Sequence, residues 1–215
     1  MADVERVLPA DIERRSMEII DAELASRGIV LDVRNAAVVK RVIHTSADFD
    51  YAGNLRFSPG AVDAGVTALK AGATILTDTN MARAGVSKPA LAKLGGDVVC
   101  YMADENVART AREQGTTRAV ASMEKAARTL DAPVVAIGNA PTALIHLVEL
   151  IDAGAIAPRL VIGVPVGFVN VEASKELMME RADVPWIVAR GRKGGSNIAA
   201  AICNALLYEA TGRQL

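Results

Sequence analysis

Five short aliphatic runs recur over the last two thirds of the chain: ATILT (73–77), DVVCY (97–101), PVVAI (133–137), LVIGV (160–164) and WIVAR (186–190). Helical patterns separate them. A short, continuous apolar run rich in β-branched residues is how a strand covered on both faces reads. Strands alternating with helices form βαβ units, and right-handed crossovers then lay the strands side by side with helices on both sheet faces. The expected fold is α/β, three layers (α/β/α) around a five-stranded parallel sheet. All five strands would point their C-terminal ends to one edge, where ligands of such sheets bind near a switch in strand order.

The first third reads differently. Asp11 to Arg27 is amphipathic, with Ile12, Ser16, Ile19, Ile20 and Leu24 on one expected stripe and Gly28 as its stop. Asn35 to His44 is a second helical run. Pro59 to Ala71 is a third, with Ser58 as the expected N-cap, Pro59 at the first helical position and Gly72 just past the end. The expected organisation is one domain over 1–215, a helical segment of about 11–71 leading into a βα portion of about 72–211. The chain is 51% hydrophobic but only 3% aromatic, so its core must be aliphatic and its helices close-packed on alanine.

Composition also excludes classes. A net charge of −1 lacks the basic face that a nucleic-acid binder needs. Cys100 and Cys203 lie far apart in apolar runs, as buried reduced thiols of a cytoplasmic protein would. The N-terminal MADVERVLPADIERRS has no apolar stretch of the kind a signal peptide carries, and no run approaches the ~20 apolar residues of a membrane span. No HxH or CxxC pair occurs, so no protein-built metal site is expected.

Chemistry should gather in the loops that follow the strands. IGNAPTAL (137–144) leaves a strand and enters a helix; Asn139 can cap it, Pro141 suits its first turn, and the free amides there would attract an anion. An ordinary strand-to-helix turn is the plainer reading. GRKGGS (191–196) also opens a helix, with Arg192 and Lys193 for charge, Gly194 and Gly195 for close backbone approach and Ser196 as a cap. It is not a P-loop, because the lysine precedes the glycine pair. Asp78 in TDTNM (77–81) could be a phosphoacceptor, a metal ligand or a helix cap. Arg118 opens an alanine-rich helix against the helix dipole, which favours a job such as pairing with a substrate carboxylate over plain solvation.

Two histidines are present. His146 lies mid-helix among apolar residues and reads as structural. His44 ends its helical run in RVIHTSADFD (41–50), beside Thr45, Ser46 and Asp48. There the helix dipole favours the protonated form, which suits either a general acid or a helix C-cap.

Taken together, RRSMEIID (14–21), RVIHTSADFDYAGNLRFSPGAV (41–62), AGATILTDTNM (71–81), GTTRAVASM (115–123), IGNAPTAL (137–144), PVGFV (165–169) and GRKGGS (191–196) resemble the precorrin-8X methylmutase family of cobalamin biosynthesis. The matches keep the family's order over roughly residues 11–209. The resemblance implies an isomerase that moves a methyl group from carbon 11 to carbon 12 of a corrinoid macrocycle by a 1,5-sigmatropic shift. Precorrin-8X would give hydrogenobyrinate, or cobalt-precorrin-8 the cobalt-bearing cobyrinate. It implies no cofactor, a flavodoxin-like fold, a homodimer with substrate near the interface, and a product open to hand-off to the next pathway enzyme.

By the same resemblance His44 is the proton donor that assists migration. Substrate binding falls to Ser16, Thr45, Asp78, Thr79, Met81, Arg118, Asn139, Thr142, Lys175, Arg192, Gly194, Gly195 and Ser196. One departure stands out. After PVGFV the family usually has Glu-Ser-Lys, whereas this chain has Ala173-Ser174-Lys175, with Glu172 one residue early. A nucleotide- or phosphate-binding α/β protein would use the same loop edge but has no phosphate-loop motif and no task for His44. A noncatalytic corrinoid carrier is the other alternative.

Overall fold

The computed structural model describes residues 5–213; the remaining terminal residues of the 1–215 span, including the first four of the N-terminal segment read above, lie outside the described residues. A 3-10 turn, Pro9–Asp11, leads into α1 (Ile12–Ser26), α2 (Ala36–Ser46), the single turn α3 (Tyr51–Asn54), strand β1 (Leu55–Phe57) and α4 (Ala61–Lys70). The alternating part follows. It runs β2 (Ile75–Thr77), α5 (Asn80–Gly85), α6 (Lys88–Lys93), β3 (Val98–Val99), α7 (Glu105–Glu113), α8 (Arg118–Thr129), β4 (Val134–Ile137) and α9 (Pro141–Asp152). It closes with β5 (Leu160–Gly163), α10 (Val171–Met179), β6 (Trp186–Ala189) and α11 (Ser196–Ala210).

The sheet is mixed and six-stranded, in the order β1-β6-β5-β4-β2-β3, where five parallel strands are expected from the sequence. The addition is β1, which pairs antiparallel with β6 through Leu55↔Ala189 and Phe57↔Ile187. It lies inside the segment that reads as wholly helical. Its three residues are too short to show a period, and only the neighbouring β6 makes them a strand. The five aliphatic runs all contain strands, each trimmed at one or both ends.

Successive strand residues face opposite sides, and the two cores record it. Ile75, Val134, Ala136, Leu160, Ile162 and Ile187 pack beneath α1, α2, α4 and α11. Leu76, Val135, Ile137, Val161 and Val188 pack beneath α8, α9 and α10. The alanine-rich packing expected from composition is plainest at α11, whose Ala199, Ala200, Ala201 and Ala205 are buried. Gly65 lets α4 approach: a Cβ there would lie 2.8 Å from a Leu160 methyl and 2.9 Å from one of Leu206.

Two helix expectations are corrected. On α1 the buried residues are Met17, Ile20 and Leu24, while Ile12 and Ile19 are exposed, so the core-facing stripe is turned away from Ile12, Ser16 and Ile19. The third helix starts at Ala61, capped by Gly60 in the left-handed region (φ 70°), two residues beyond the expected Pro59. Ser58 is not the cap. Its buried hydroxyl accepts a hydrogen bond from the Trp186 amide at 2.8 Å, while its own amide donates to the Trp186 carbonyl at 3.0 Å. Ser58 thus sews the start of α4 to the start of β6.

Removing that acceptor strands a buried N–H. Ser58→Ala should therefore lower stability by roughly 1–3 kcal/mol. A urea unfolding curve checks it, and an unchanged midpoint would mean the Trp186 amide is satisfied some other way.

Candidate active site

The chain runs from β2 outward to β3, then returns to the other flank of β2 as β4. The crevice where the order reverses lies between the C-terminal ends of β2 and β4. Asp78, directly after β2, fills it. One carboxylate oxygen accepts from the Gly138 amide at 2.9 Å, the other from the Asn139 and Ala140 amides at 2.8 Å each. Asp78 is 1% exposed. Burial pushes its carboxyl above the ordinary range, opposed by those three donors, which favour the ionised form.

This changes two expectations. Asp78 faces the protein's own amides, so it holds the frame in place of touching substrate. The anion cradle expected before α9 is already occupied, by that carboxylate. Asn139 caps nothing with its side chain; the N-cap is Ala140, followed by Pro141 at the first helical position.

The loops after β2, β4, β5 and β6 press together. Thr79 caps α5 by accepting from the Ala82 amide, and its hydroxyl lies 2.7 Å from that of Ser196. Ser196 is therefore not the cap of α11; Gly195 is. A Cβ on Gly138 would meet the Gly195 carbonyl at 2.8 Å, and one on Gly194 would meet the Val164 carbonyl oxygen at 2.1 Å. Gly194 and Gly195 thus serve loop-to-loop contact, as their freedom from a side chain allows.

Lys175 is a second correction. Expected to reach a substrate carboxylate, it is fully buried, and its ammonium donates to the carbonyls of Gly191 (2.6 Å) and Lys193 (2.8 Å). Burial lowers its pKa to about 8. At the departure from the family pattern, Ala173 is exposed on α10, and the early Glu172 lies 3.7 Å from the Arg192 guanidinium.

His44 sits in the last turn of α2, which runs two residues beyond it and ends at Ala47 in the left-handed region (φ 53°). The imidazole is half-buried, and among the described residues none hydrogen-bonds its ring. His146 contrasts with it. Its Nδ1 is 2.7 Å from Glu149 and its Nε2 3.6 Å from Glu124, which ties α9 to α8. Thr45 and Ser46 turn their hydroxyls back to the carbonyls of Arg41 and Val42. Beyond them the Lys193 ammonium lies 2.6 Å from both Asp48 and Asp50.

Other candidates stand on the exposed rim. Arg118 opens α8 behind the Thr117 cap, whose hydroxyl is 3.5 Å from that of Thr142 on α9. Arg192 lies over the Phe168 ring, 5.5 Å from its centroid. Met81, Phe168 and Val169 are 73%, 82% and 79% exposed, and of these only Met81 is singled out by the sequence. Ser16 lies apart on α1, half-buried, its hydroxyl donating to the Ile12 carbonyl. A cavity of about 880 Å³ at the opposite edge, beside Thr74, Ala132 and Arg159, includes none of these residues. Among the described residues, no three His, Cys, Asp or Glu side chains group to hold a metal, and no helix is long and apolar enough to cross a membrane.

Fold and rim together define an α/β protein with exposed arginines and apolar side chains and a histidine that no described residue hydrogen-bonds. The family model for precorrin-8X methylmutase matches residues 11–209. The cobalt-precorrin-8 methylmutase of Priestia megaterium is 42% identical over 200 residues, covering 93% of this chain and 88% of that one. The precorrin-8X methylmutase of Pseudomonas aeruginosa is 45% identical, covering 92% and 94%. A crystal structure of precorrin-8X methylmutase from Thermus thermophilus superposes with a TM-score of 0.86 at 43% identity, covering 94% of this chain and 97% of that chain. The chain belongs to the precorrin-8X methylmutase family, methyl-transferring intramolecular isomerases of cobalamin biosynthesis.

Two predictions follow from the buried charges. Asp78→Ala unpairs three amides and should cost roughly 2–4 kcal/mol in chemical unfolding, with Asp78→Asn recovering only part; equal stability of all three proteins would refute the clamp. For Lys175, the folded value of about 8 lies below the ordinary 10.5, so between these the unfolded chain binds more protons and stability rises with pH. The advantage of wild type over Lys175→Met should therefore grow from pH 8 to 10.5, which paired urea melts would read; a difference that stays flat or shrinks would contradict it.

Proposed function

We propose that this chain moves the methyl group from carbon 11 to carbon 12 of precorrin-8X, or of its cobalt-bearing counterpart, with His44 as general acid. The observation that carries this reading is the pair of histidine environments. His146 is held by a carboxylate, whereas the His44 ring has no hydrogen-bond partner among the described residues and stands half-buried in the last turn of its helix. Donating a proton or a strong hydrogen bond to the conjugated macrocycle makes it a better electron sink. The carbon 11–methyl bond breaks as the carbon 12–methyl bond forms, and a proton returns from the ring system. Nothing is oxidised or reduced overall.

The substrate bears many carboxylates. Arg118 and Arg192 are the exposed cations best placed to take them, and Met81, Phe168 and Val169 offer apolar cover to the macrocycle. Thr45, Thr79, Asn139, Thr142 and the 194–196 backbone complete the proposed contact surface. Ser16 joins it through a homodimer, for which the exposed Ile12 and Ile19 on the same face of α1 supply apolar surface. A cytoplasmic setting and product hand-off belong to the same reading. The order β3-β2-β4-β5-β6 of the parallel strands supports its flavodoxin-like character.

The test is the visible spectrum of precorrin-8X, and separately of cobalt-precorrin-8, after mixing with wild type and with His44→Ala. Wild type should convert one of them. His44→Ala should bind it but turn over about 10²- to 10⁴-fold more slowly. Equal rates would remove His44 as the acid, and binding without conversion by either protein would leave a carrier.

A further inference from the structure

We propose that Lys193 is a positioning residue, holding the turn that follows His44 against the loop that follows β6 and so fixing how the imidazole is presented. The inference rests on reading His44 as the proton donor.

The loop end of this contact cannot drift. The Lys193 carbonyl accepts from the buried Lys175 ammonium at 2.8 Å, and the neighbouring Gly191 carbonyl does so at 2.6 Å. Two residues on, the Gly195 amide donates to the Val164 carbonyl at 2.9 Å. The backbone at Lys193 is thus pinned from below, and its side chain reaches outward.

The other end is built as firmly into α2. The Ala47 amide donates to the Ile43 carbonyl at 2.7 Å, closing the helix around His44. The Asp48 amide donates to the Ser46 hydroxyl at 3.2 Å, and the Asp50 amide to the Asp48 carboxylate at 3.0 Å. Asp48 and Asp50 therefore move with the last turn of α2. The Lys193 ammonium stands 2.6 Å from a carboxylate oxygen of each. Its bonds to both hold the Asp48 carboxyl below the usual range and the lysine above its own.

Exposed ion pairs contribute little to global stability, largely because two long side chains must be ordered. Here much of that cost is already met by fixed backbones on both sides, and one ammonium serves two carboxylates. The contact orders a local turn. With no hydrogen-bond partner on its half-buried ring among the described residues, His44 takes its orientation largely from that turn. Neutralised twice, Lys193 is also a poor candidate for a substrate carboxylate, unlike Arg118 and Arg192.

The test compares Lys193→Met and Lys193→Arg with wild type in the full chain, each verified folded by thermal unfolding. Turnover of the corrinoid gives kcat and KM. The ring NMR signals of the two histidines, assigned with His44→Ala, give a readout independent of activity. Lys193→Met should lower kcat by about 10- to 100-fold with little change in KM. The His44 signals should shift or broaden while those of His146 stay put. Lys193→Arg should restore most of both, and Asp50→Asn should reproduce a weaker form should the methionine variant fold poorly. A raised KM with unchanged kcat would make Lys193 a substrate contact and overturn the proposal, as would unmoved His44 signals. Displaced His44 signals with unchanged kcat would uphold the latch and instead sink His44 as the acid.

Discussion

A buried carboxylate bridging two strand ends sets the geometry of this protein's functional edge. Ionised, Asp78 would be costly so far from water, and three backbone donors offset that cost. Those donors are the first amides beyond β4, so the carboxylate supplies from within the chain the negative charge that a helix start attracts. Two consequences follow. The amides at the α9 entrance are taken by Asp78 and are unavailable to an outside anion. The turn after β4 is also held rigid at Gly138, against which Gly195 and Ser196 pack. Through that contact and the Thr79–Ser196 hydroxyl pair, the clamp between β2 and β4 also sets where α11 begins.

The loop after β6 carries this order outward. Two lysines act on it from opposite sides, and their surroundings divide their tasks. Lys175 is sealed under the loop and donates to main-chain carbonyls, so its charge is spent on shape. Lys193 projects from the same loop and is matched by carboxylates of another segment. Chemically identical groups are driven in opposite directions, one pKa lowered by lost water, the other raised by close anions. That leaves Arg118 and Arg192, arginines with planar donor forks, exposed at the surface and proposed above as the partners of substrate carboxylates.

Much of this frame was legible in the residues, and the illegible parts share a cause. The five aliphatic runs announce buried strands because burial on both faces leaves a local trace. Strand β1 has none: Leu55-Arg56-Phe57 extends because β6 is beside it. On α1 the expected stripe holds at Ile20 and Leu24 and fails at Ile12 and Ile19, because isoleucines there fit a helical stripe as well as Met17 does and only packing against α2 chooses. Asp78 offers three local readings, and its actual partners lie some sixty residues away in sequence. Lys175 is assigned to substrate by the resemblance, and only the folded loop, whose carbonyls at 191 and 193 take its ammonium, shows it sealed inside. Motif resemblance marks residues for the site without telling those exposed to solvent from those, like Asp78 and Lys175, sealed in the frame.

The same distinction bears on the two histidines. The His146 ring is held in place at its Nδ1, 2.7 Å from Glu149, with Glu124 3.6 Å from its Nε2. A general acid must release its proton to substrate and regain one afterwards, which strong partners on both nitrogens would oppose. His44 lacks them. Its orientation is delegated to the backbone, first to the closed end of α2 and then to the turn that Asp48 and Asp50 anchor. On the proposed reading of His44 as the acid, positioning through the main chain keeps both ring nitrogens for the reaction, and the turn after α2 belongs to the proposed site as much as the imidazole itself.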